Sequence, residues 1–261
     1  MSSSSSPLGI FDSGIGGLSV LRALRALLPA EDLVYFADSV HAPYGERGDA
    51  FVTGRSLAIA QELIEARGAK LLVVACNTAT AAAIALLRAQ WPQVPIVGVE
   101  PALKPAADAT RTGHVGVLAT RGTLASAKFA RLHDSLADRT LFRLQACHGL
   151  AAAIEADDAP LVATLCAQYV AALGPLGSAE GQIDTLVLGC THYPFALPLF
   201  EQLAGPQVRI LETGQPVARR VQRLLADADL LRAPDHAGTL TLLSPGADDA
   251  LQRAAGRWLN A

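Results

Sequence analysis

Two cysteines, Cys76 and Cys190, stand where a thiol could take part in chemistry. Each ends an apolar run of β-strand character, at the point where a helix is expected to begin. Each is followed by two polar residues that can form hydrogen bonds: Asn77-Thr78 after the first thiol and Thr191-His192 after the second. A thiol at the amino end of a helix lies at the positive end of the helix dipole, which favours the thiolate. We therefore predict that both cysteines are reactive.

The other two cysteines, Cys147 and Cys166, are interpreted as buried and inert, because a free thiol commonly lies in a protein core. The four cysteines form no Cys-x-x-Cys pair and no regular ladder with histidines, so the sequence predicts no metal site. An even number of cysteines could form disulfides. In a chain of 261 residues without an export signal, free thiols are the better expectation.

A pair of thiols suits a reaction that moves a proton on both faces of a carbon atom. In racemisation of an amino acid, one base removes the Cα proton and an acid on the opposite face returns a proton. A thiol with an ordinary pKa of about 8.5 is only slightly ionised at neutral pH, so each cysteine needs a helper. We assign Asp12 to Cys76 and His192 to Cys190. The alternatives are that Asp12 caps a helix that starts near Gly16, and that His192 only packs at its strand end.

A glycine-rich loop, Asp12-Ser13-Gly14-Ile15-Gly16-Gly17, follows the first predicted strand. It suits a small zwitterion, because the carboxylate of Asp12 can bind an ammonium group while backbone N–H groups and Ser13 bind a carboxylate. The alternative is a dinucleotide site, with Asp38 at the end of the next strand. That match is weak, because Ser19 replaces the third glycine and the carboxylate of Asp12 would lie next to a pyrophosphate.

A second short segment, Pro43-Tyr44-Gly45, follows the second predicted strand. By composition alone it is an ordinary turn. The functional interpretation is that the segment borders the site and binds a second carboxylate through backbone N–H groups and the hydroxyl of Tyr44.

Short apolar runs alternate with longer alanine- and leucine-rich stretches, which predicts βαβ units and a mostly parallel sheet flanked by helices. The predicted strands are Leu8–Asp12, Leu33–Asp38, Lys70–Cys76, Ile96–Glu100, His114–Thr120, Leu141–Cys147, Thr185–Cys190, Val208–Glu212 and Thr239–Ser244. The predicted helices are Leu18–Leu28, Asp49–Arg67, Thr78–Gln90, Pro101–Ala109, Ala125–Asp138, Pro160–Leu173, Phe195–Ala204 and Gln215–Ala226. Such sheets bind ligands beyond the carboxyl ends of their strands, which is where both thiols lie.

The strand ends form a weak internal repeat. In the first half of the chain, Gly9 lies in the first strand and Cys76 ends a later strand. In the second half, Gly116 lies in the first strand and Cys190 ends a later strand. We therefore predict an α/β fold of two pseudo-symmetric lobes, each a mostly parallel sheet flanked by helices, with the active site in the cleft between them. The first lobe is expected at 8–100 plus 213–261 and the second at 101–212. The serine run at 1–7 predicts a disordered tail.

Composition narrows the class of protein. The net charge is −3 with acids and bases interspersed, so no nucleic-acid partner is expected. No apolar run reaches the roughly 18 residues of a membrane span, and the first residues lack the basic and apolar regions of a secretory signal. We expect a cytoplasmic protein with a small-molecule substrate and no membrane partner.

Four segments together resemble the glutamate racemase family, which is part of the cofactor-independent aspartate/glutamate racemase superfamily. They are Asp12-Ser13-Gly14-Ile15-Gly16-Gly17, Pro43-Tyr44-Gly45, Ala75-Cys76-Asn77-Thr78-Ala79 and Gly189-Cys190-Thr191-His192-Tyr193-Pro194. Each segment alone is modest, whereas the four in this order and spacing are highly specific. The resemblance runs from about Leu8 to at least Ala226.

The resemblance implies interconversion of L- and D-glutamate without pyridoxal phosphate, another cofactor or a metal, and supply of D-glutamate for bacterial peptidoglycan. It implies that Cys76 is the base toward D-glutamate and Cys190 the base toward L-glutamate. The residues that it implies as substrate contacts are Asp12, Ser13, Tyr44, Gly45, Asn77, Thr78, Thr191 and His192. Thr123 and Glu155 lie in segments that are similar to site segments of some relatives.

Two groups of alternatives are retained. An aspartate racemase, a decarboxylase or a cis–trans isomerase of small diacids would share the predicted cleft, although a decarboxylase should need only one proton donor. A non-catalytic dinucleotide-binding protein is the unrelated alternative. The sequence leaves open whether the chain forms a homodimer and whether a peptidoglycan precursor activates it, as in some relatives.

Overall fold

The fold is that of a computed structural model, which describes residues 3–246 and 248–259. Within that part, the chain divides into two compact units. The first unit holds the residues up to Val99 together with those from Gly214 onward, and the second unit holds Glu100–Thr213. Each unit contains a parallel sheet with helices packed on it, so the predicted class, an α/β fold of two lobes, is confirmed.

Strands and helices alternate along most of the chain. The strands are β1 (Leu8–Asp12), β2 (Leu33–Ala37), β3 (Leu71–Val74), β4 (Ile96–Gly98), β5 (His114–Ala119), β6 (Leu141–Ala146), β7 (Thr185–Gly189), β8 (Arg209–Leu211) and β9 (Leu240–Leu243). The α-helices are α1 (Leu18–Leu27), α2 (Asp49–Gln61), α3 (Asn77–Gln90), α4 (Leu103–Ala109), α5 (Arg121–Leu124), α6 (Ala127–Asp134), α7 (Leu150–Glu155), α8 (Ala159–Ala172), α9 (Leu197–Ala204), α10 (Gly214–Asp227) and α11 (Asp248–Trp258). Single 3₁₀ turns are Ser39–His41, Tyr44–Glu46 and Tyr193–Ala196, and α2 continues into a π-helical turn, Glu62–Ala66.

The two sheets share one strand order. The first sheet runs β4-β3-β1-β2 and adds β9 beyond β2, while the second runs β8-β7-β5-β6. Neighbouring strands of both sheets are parallel. In this order β5 corresponds to β1, β6 to β2 and β7 to β3. The internal repeat seen at the strand ends therefore extends to the topology of the described units.

Burial explains why the central strands are mostly apolar. Every residue of β1, β3 and β7 is buried, as expected for parallel strands that helices cover on both faces. In the first unit, α1 and α10 pack against each other and α2 packs against α3. In the second unit, side chains of β5 and β7 pack with α4 and α6 in a common core.

The serine-rich start of the chain has defined partners where the structure describes it, although its composition predicts disorder. Its first two residues lie outside the described part. The buried ammonium group of Lys70 donates hydrogen bonds to the carbonyls of Ser4, at 2.6 Å, and Leu230, at 2.9 Å, and lies 2.6 Å from Glu31 Oε2. A buried ammonium group needs such acceptors, so it holds this part of the segment against the first unit.

All nine predicted strands are present, and the helices differ from the prediction in four places. The predicted helix Ala125–Asp138 is shorter in the structure, where the hydroxyl of Ser126 accepts the N–H of Phe129 and so caps the start of α6. The short helices α5 and α7 and the terminal helix α11 were not predicted. No helix in the described part of the chain has the length and apolar character needed to cross a membrane.

Candidate active site

Three side chains that could take part in acid–base chemistry follow adjacent strands of the first sheet. In the parallel register, Asp12 pairs with Ala37, the residue before Asp38. Phe11, the residue before Asp12, pairs with Val74, two residues before Cys76. The carboxyl ends of β1, β2 and β3 therefore bring Asp12, Asp38 and Cys76 to one edge of this sheet, where parallel sheets bind ligands.

The glycine loop is wound tightly around the buried carboxylate of Asp12. Oδ1 of Asp12 accepts the backbone N–H of Ser13 at 2.6 Å and the Ser13 hydroxyl at 3.2 Å. Asp12 does not cap α1, which begins at Leu18 after Gly17. Any residue larger than glycine is excluded at Gly17, since a Cβ atom there would lie 2.7 Å from both the Cβ of Asp12 and the hydroxyl of Tyr35.

Cys76 is the first residue outside α3 and caps it. Its Sγ accepts the backbone N–H of Ala79 at 3.4 Å, and the residue is buried. Asn77 follows, is 4 % exposed, and has no hydrogen-bond partner for either side-chain polar atom among the described residues. Buried amides are nearly always paired in native proteins, so this one is suited to a polar ligand. Thr78 is also buried beside it.

In the Pro43-Tyr44-Gly45 segment, Pro43 is extended and precedes a 3₁₀ turn, Tyr44–Glu46, that packs against α3. The side chain of Tyr44 is buried, and its hydroxyl donates to Oδ2 of Asp38 at 2.5 Å. Burial and the neighbouring carboxylate raise the pKa of Tyr44, so the hydroxyl keeps its proton. Because the Tyr44 hydroxyl donates its proton to Asp38, it is not available to a substrate carboxylate. The backbone N–H groups of the segment are the donors that remain for the predicted binding of a second carboxylate.

In the second unit, Cys190 follows β7 and lies beside an imidazole. Sγ of Cys190 is 3.8 Å from Nδ1 of His192, and Nε2 of His192 is 2.6 Å from Oε2 of Glu155. His192 is 3 % exposed. The three side chains form a row in which a carboxylate holds an imidazole against a thiol, an arrangement that can stabilise a thiolate.

The surroundings of His192 favour its charged form. Burial opposes the charged form, but the hydrogen bonds and charge interactions with Cys190 and Glu155 outweigh burial and raise the pKa of His192 well above its usual value of 6.5. The imidazolium therefore faces the thiol of Cys190 on one side and the carboxylate of Glu155 on the other.

The elements around His192 hold its partners in place. Glu155 ends α7, whose first turn follows Gly149, and Gly149 adopts a left-handed φ of 75° that favours glycine. Thr191, which lies between Cys190 and His192 in the sequence, is buried. Thr123 is buried as well, and the hydroxyl of Thr120 donates to its hydroxyl at 3.0 Å within the cap of α5.

The remaining two cysteines differ from the pair in their surroundings. All four cysteines are free thiols. Burial raises the pKa of Cys147 to about 12 and that of Cys166 to about 11, so both stay protonated at neutral pH. No three His, Cys, Asp or Glu side chains come together as a metal site in the described ranges.

Comparison with known proteins places the chain among racemases. The pattern that defines the Asp/Glu/Hydantoin racemase family matches residues 15–221. The chain belongs to this family. It is 54% identical over 233 residues to a glutamate racemase of Ectopseudomonas mendocina, covering 88% of this chain and 86% of the relative. It is 47% identical over 255 residues to a glutamate racemase of Pseudomonas aeruginosa PAO1, covering 97% and 94%.

Solved structures of the family have the same fold. The glutamate racemase isoform RacE1 from Bacillus anthracis superposes with a TM-score of 0.84 at 30% identity, over 98% of this chain and 94% of that one. Escherichia coli glutamate racemase, solved in complex with L-glutamate and the activator UDP-MurNAc-ala, gives a TM-score of 0.79 at 32% identity, over 97% and 95%. The resemblance drawn from the four segments and the assignment of the chain to the racemases, which are isomerases, are confirmed.

The predicted site residues fall into two groups. The first unit carries Asp12, Ser13, Tyr44, Gly45, Cys76, Asn77 and Thr78, and the second carries Cys190, Thr191 and His192. Sequence reasoning did not find that Asp38 bonds Tyr44, because that contact depends on how a turn folds back onto β2. It placed Asp38 only in a dinucleotide site, and the structure shows that carboxylate occupied by protein donors.

Proposed function

We propose that this racemase interconverts L- and D-glutamate, with Cys76 and Cys190 as its two bases. The observation that carries the proposal is the equivalence of the two thiols. Each follows the same strand of the same four-strand order, and each begins a stretch of buried polar residues. Relatives that are about half identical over most of their length are named glutamate racemases, which supports glutamate as the substrate.

The reaction needs one proton taken and one proton given. Starting from D-glutamate, the thiolate of Cys76 removes the Cα proton, and the electron pair of the broken C–H bond moves toward the α-carboxylate. The thiol of Cys190 then gives its proton to the opposite face of Cα, which yields L-glutamate. Cys76 ends as a thiol and Cys190 as a thiolate, and the reverse reaction restores both. No atom is gained or lost overall.

The helpers support the two thiols by different means. The imidazolium of His192 stabilises the thiolate of Cys190, at a separation of 3.8 Å, and Glu155 keeps the imidazole oriented. Asp12 supports Cys76 from the neighbouring strand end, where it can also receive the substrate ammonium group. The two directions of proton transfer therefore use different electrostatic surroundings.

Substrate recognition is assigned to the polar groups around the thiols. The amide of Asn77 can both donate to a carboxylate and accept from an ammonium group, and it is buried without a protein partner in the described ranges. Ser13, Thr78 and Thr191 add hydroxyls. The backbone of Tyr44 and Gly45 supplies N–H groups for the second carboxylate.

We extend the proposal to the role of the product. D-Glutamate made in the cytoplasm would serve peptidoglycan synthesis and so maintain cell shape. The E. coli relative is named with the activator UDP-MurNAc-ala, so the assay is run with and without that compound. Acceleration would show that a cell-wall precursor regulates this chain, and sedimentation of the same sample would test for a homodimer.

Solvent exchange tests the proposed function directly. In D₂O and without added cofactor, each enantiomer of glutamate should gain deuterium at Cα as it is converted into the other. Aspartate and a keto diacid are the controls for substrate class. Cys76→Ala and Cys190→Ala should each abolish racemisation, and near-normal turnover by either variant would contradict the two-base mechanism.

A one-base partial reaction assigns each thiol to its enantiomer. Glutamate with chlorine at Cβ needs only deprotonation, after which the C–Cl bond breaks and hydrolysis gives a keto acid, ammonium and chloride. Cys190→Ala should still act on the D-configured compound through Cys76, and Cys76→Ala on the L-configured one through Cys190. The reverse pairing would contradict the assignment of faces.

A further inference from the structure

Asp38 is a buried carboxylate that the proposed reaction does not use. It follows β2 and accepts hydrogen bonds from three side chains. Tyr44 Oη donates to Oδ2 at 2.5 Å, and Arg55 donates through Nε to Oδ2 at 2.9 Å and through Nη2 to Oδ1 at 2.8 Å. Nδ1 of His41 lies 3.0 Å from Oδ1. Both oxygens are thus engaged by protein donors.

The carboxylate is ionised in spite of its burial. Burial alone would raise the pKa of Asp38, but the hydrogen bonds from Arg55, Tyr44 and His41 outweigh it and lower the pKa below the usual value. A charge is costly to bury and is tolerated only where it is paired and hydrogen-bonded. Here the pairing joins three elements that are separate in sequence: the end of β2, the turn Tyr44–Glu46 and helix α2.

The turn held in this way lies next to the thiol of the first unit. Tyr44 and Cys76 belong to one buried cluster, and the turn packs against α3, which begins at Asn77. The orientation of the Tyr44 ring therefore determines where the backbone N–H groups of Tyr44 and Gly45 lie relative to Cys76.

We propose that Asp38 is a positioning residue which, with Arg55, fixes the turn Tyr44–Glu46 so that its backbone N–H groups bind the side-chain carboxylate of the substrate. The inference rests on the proposed function, because it assigns the second carboxylate of glutamate to this turn. Asp38 itself touches no substrate. It acts through the hydroxyl of Tyr44, and the bidentate contact with Arg55 prevents the carboxylate from rotating.

Two variants weaken the contact between Asp38 and the turn Tyr44–Glu46 to different extents. Asp38→Asn keeps the shape of the side chain and removes its charge, while Tyr44→Phe removes one hydroxyl and leaves Arg55 bound to Asp38. The matched control is Asp184→Asn in the second unit. Asp184 is likewise a buried carboxylate with several donors, among them the hydroxyl of Thr110 at 2.6 Å, but it lies at the amino end of β7.

The test is steady-state racemisation measured from both enantiomers, with thermal unfolding of each variant. Asp38→Asn should raise KM about 10-fold to 100-fold for both enantiomers with kcat changed by less than about 3-fold, the size expected for misplacing a hydrogen-bond donor to a charged group. Tyr44→Phe should raise KM in the same sense by about 3-fold to 10-fold. Asp184→Asn should lower the melting temperature and leave KM unchanged.

A purely structural role for Asp38 gives a different pattern. It predicts loss of folded protein and of kcat at unchanged KM, and that result would overturn the proposal. If Asp38→Asn does not fold, Tyr44→Phe decides: a folded variant with wild-type KM overturns the positioning role. Wild-type protein that fails to racemise glutamate contradicts the proposed function instead, so the two failures are distinguishable.

Discussion

The two sheets end differently although their strands run in the same order. Equivalent positions at the carboxyl ends carry Asp12, Asp38 and Cys76 in the first unit and Ala119, Cys147 and Cys190 in the second. Only the third position, Cys76 and Cys190, carries the same residue type in both sets. The fold repeats the position of a cysteine at the end of β3 and of β7, and each unit surrounds that cysteine with different side chains.

The residues around the two thiols differ in chemical type. Beside Cys76 lie two buried carboxylates, one enclosed by Arg55 and Tyr44, and an amide with no protein partner in the described ranges. Beside Cys190 lies the buried imidazole of His192, whose pKa is raised by its contacts with Cys190 and Glu155. The proposed reaction, which only inverts one carbon atom, would therefore use two sets of residues that differ in their chemical groups.

After loss of either thiol itself, the largest effects are expected from the helpers. Asp12→Asn should slow deprotonation by Cys76, and His192→Gln should slow deprotonation by Cys190, each by about 10²-fold to 10⁴-fold, as is typical when acid–base assistance is lost. The measurement is chloride release from the two enantiomers of 3-chloroglutamate. Asp12→Asn should mainly affect the D-configured compound and His192→Gln the L-configured one.

The same pair of variants can contradict the assignment of one helper to each thiol. If either substitution slows both enantiomers equally, then its helper serves substrate binding and not one thiol. Cys166→Ala is the control for a substitution in the second unit, since Cys166 is buried and its thiol stays protonated.

The amide of Asn77 should matter for binding and not for stability. Asn77→Ala should raise KM for glutamate about 10-fold to 100-fold, because an amide that pairs with substrate charges is lost. The free energy of unfolding in the absence of substrate should not fall, because both polar atoms are buried without a protein partner in the described part. Urea titration beside the kinetics checks both. A loss of stability at unchanged KM would show instead that the amide has a structural partner.

The two regions should respond to pH in opposite directions. The pKa of His192 is raised on folding, so its contribution to stability is full below about pH 6.5 and is lost as pH rises through the folded-state pKa. The pKa of Asp38 is lowered, so its contribution is full above about pH 4 and is lost as pH falls.

Urea titrations of wild type, His192→Gln and Asp38→Asn across pH measure this difference. The gap between wild type and His192→Gln should narrow toward alkaline pH, and the gap for Asp38→Asn should narrow toward acid pH. One proton sets a limiting slope of about 1.4 kcal/mol per pH unit. Parallel curves for wild type and a variant would mean that folding does not shift the corresponding pKa.

The smallest effects are expected at the two remaining cysteines. Cys147→Ala and Cys166→Ala should keep racemisation within about 2-fold, with a loss of stability of about 1 kcal/mol from the vacated space. Both thiols stay protonated at neutral pH because burial raises their pKa. Iodoacetamide should therefore label Cys76 and Cys190 first, as read by mass spectrometry, and faster labelling of Cys166 would oppose this ranking.

Much of the fold could be predicted because strand ends and helix lengths are local signals. The nine strands and the two thiol positions follow from apolar runs that end on polar residues. Helix α7 was missed because six residues give too little periodicity. Helix α11 was missed although its sequence carries a signal, with Leu251, Ala255 and Trp258 on one face.

The site was predictable as a set of residues and not as a set of contacts. The types and order of the residues around each thiol indicated acid–base chemistry. The hydrogen bonds from Arg55 and Tyr44 to Asp38 join residues 17 and 6 positions apart in sequence, and only the folded turn brings them together. The row from Glu155 to His192 spans 37 positions and was reached only through a resemblance.

The division of the chain also has a consequence for synthesis on the ribosome. The second unit is one continuous segment, Glu100–Thr213, whereas the first unit is completed by α10, which packs against α1. Because a chain emerges from its amino end, the second unit can finish folding while α1 still lacks its partner helix. The glycine loop that precedes α1 is thus among the last parts of the molecule to be secured.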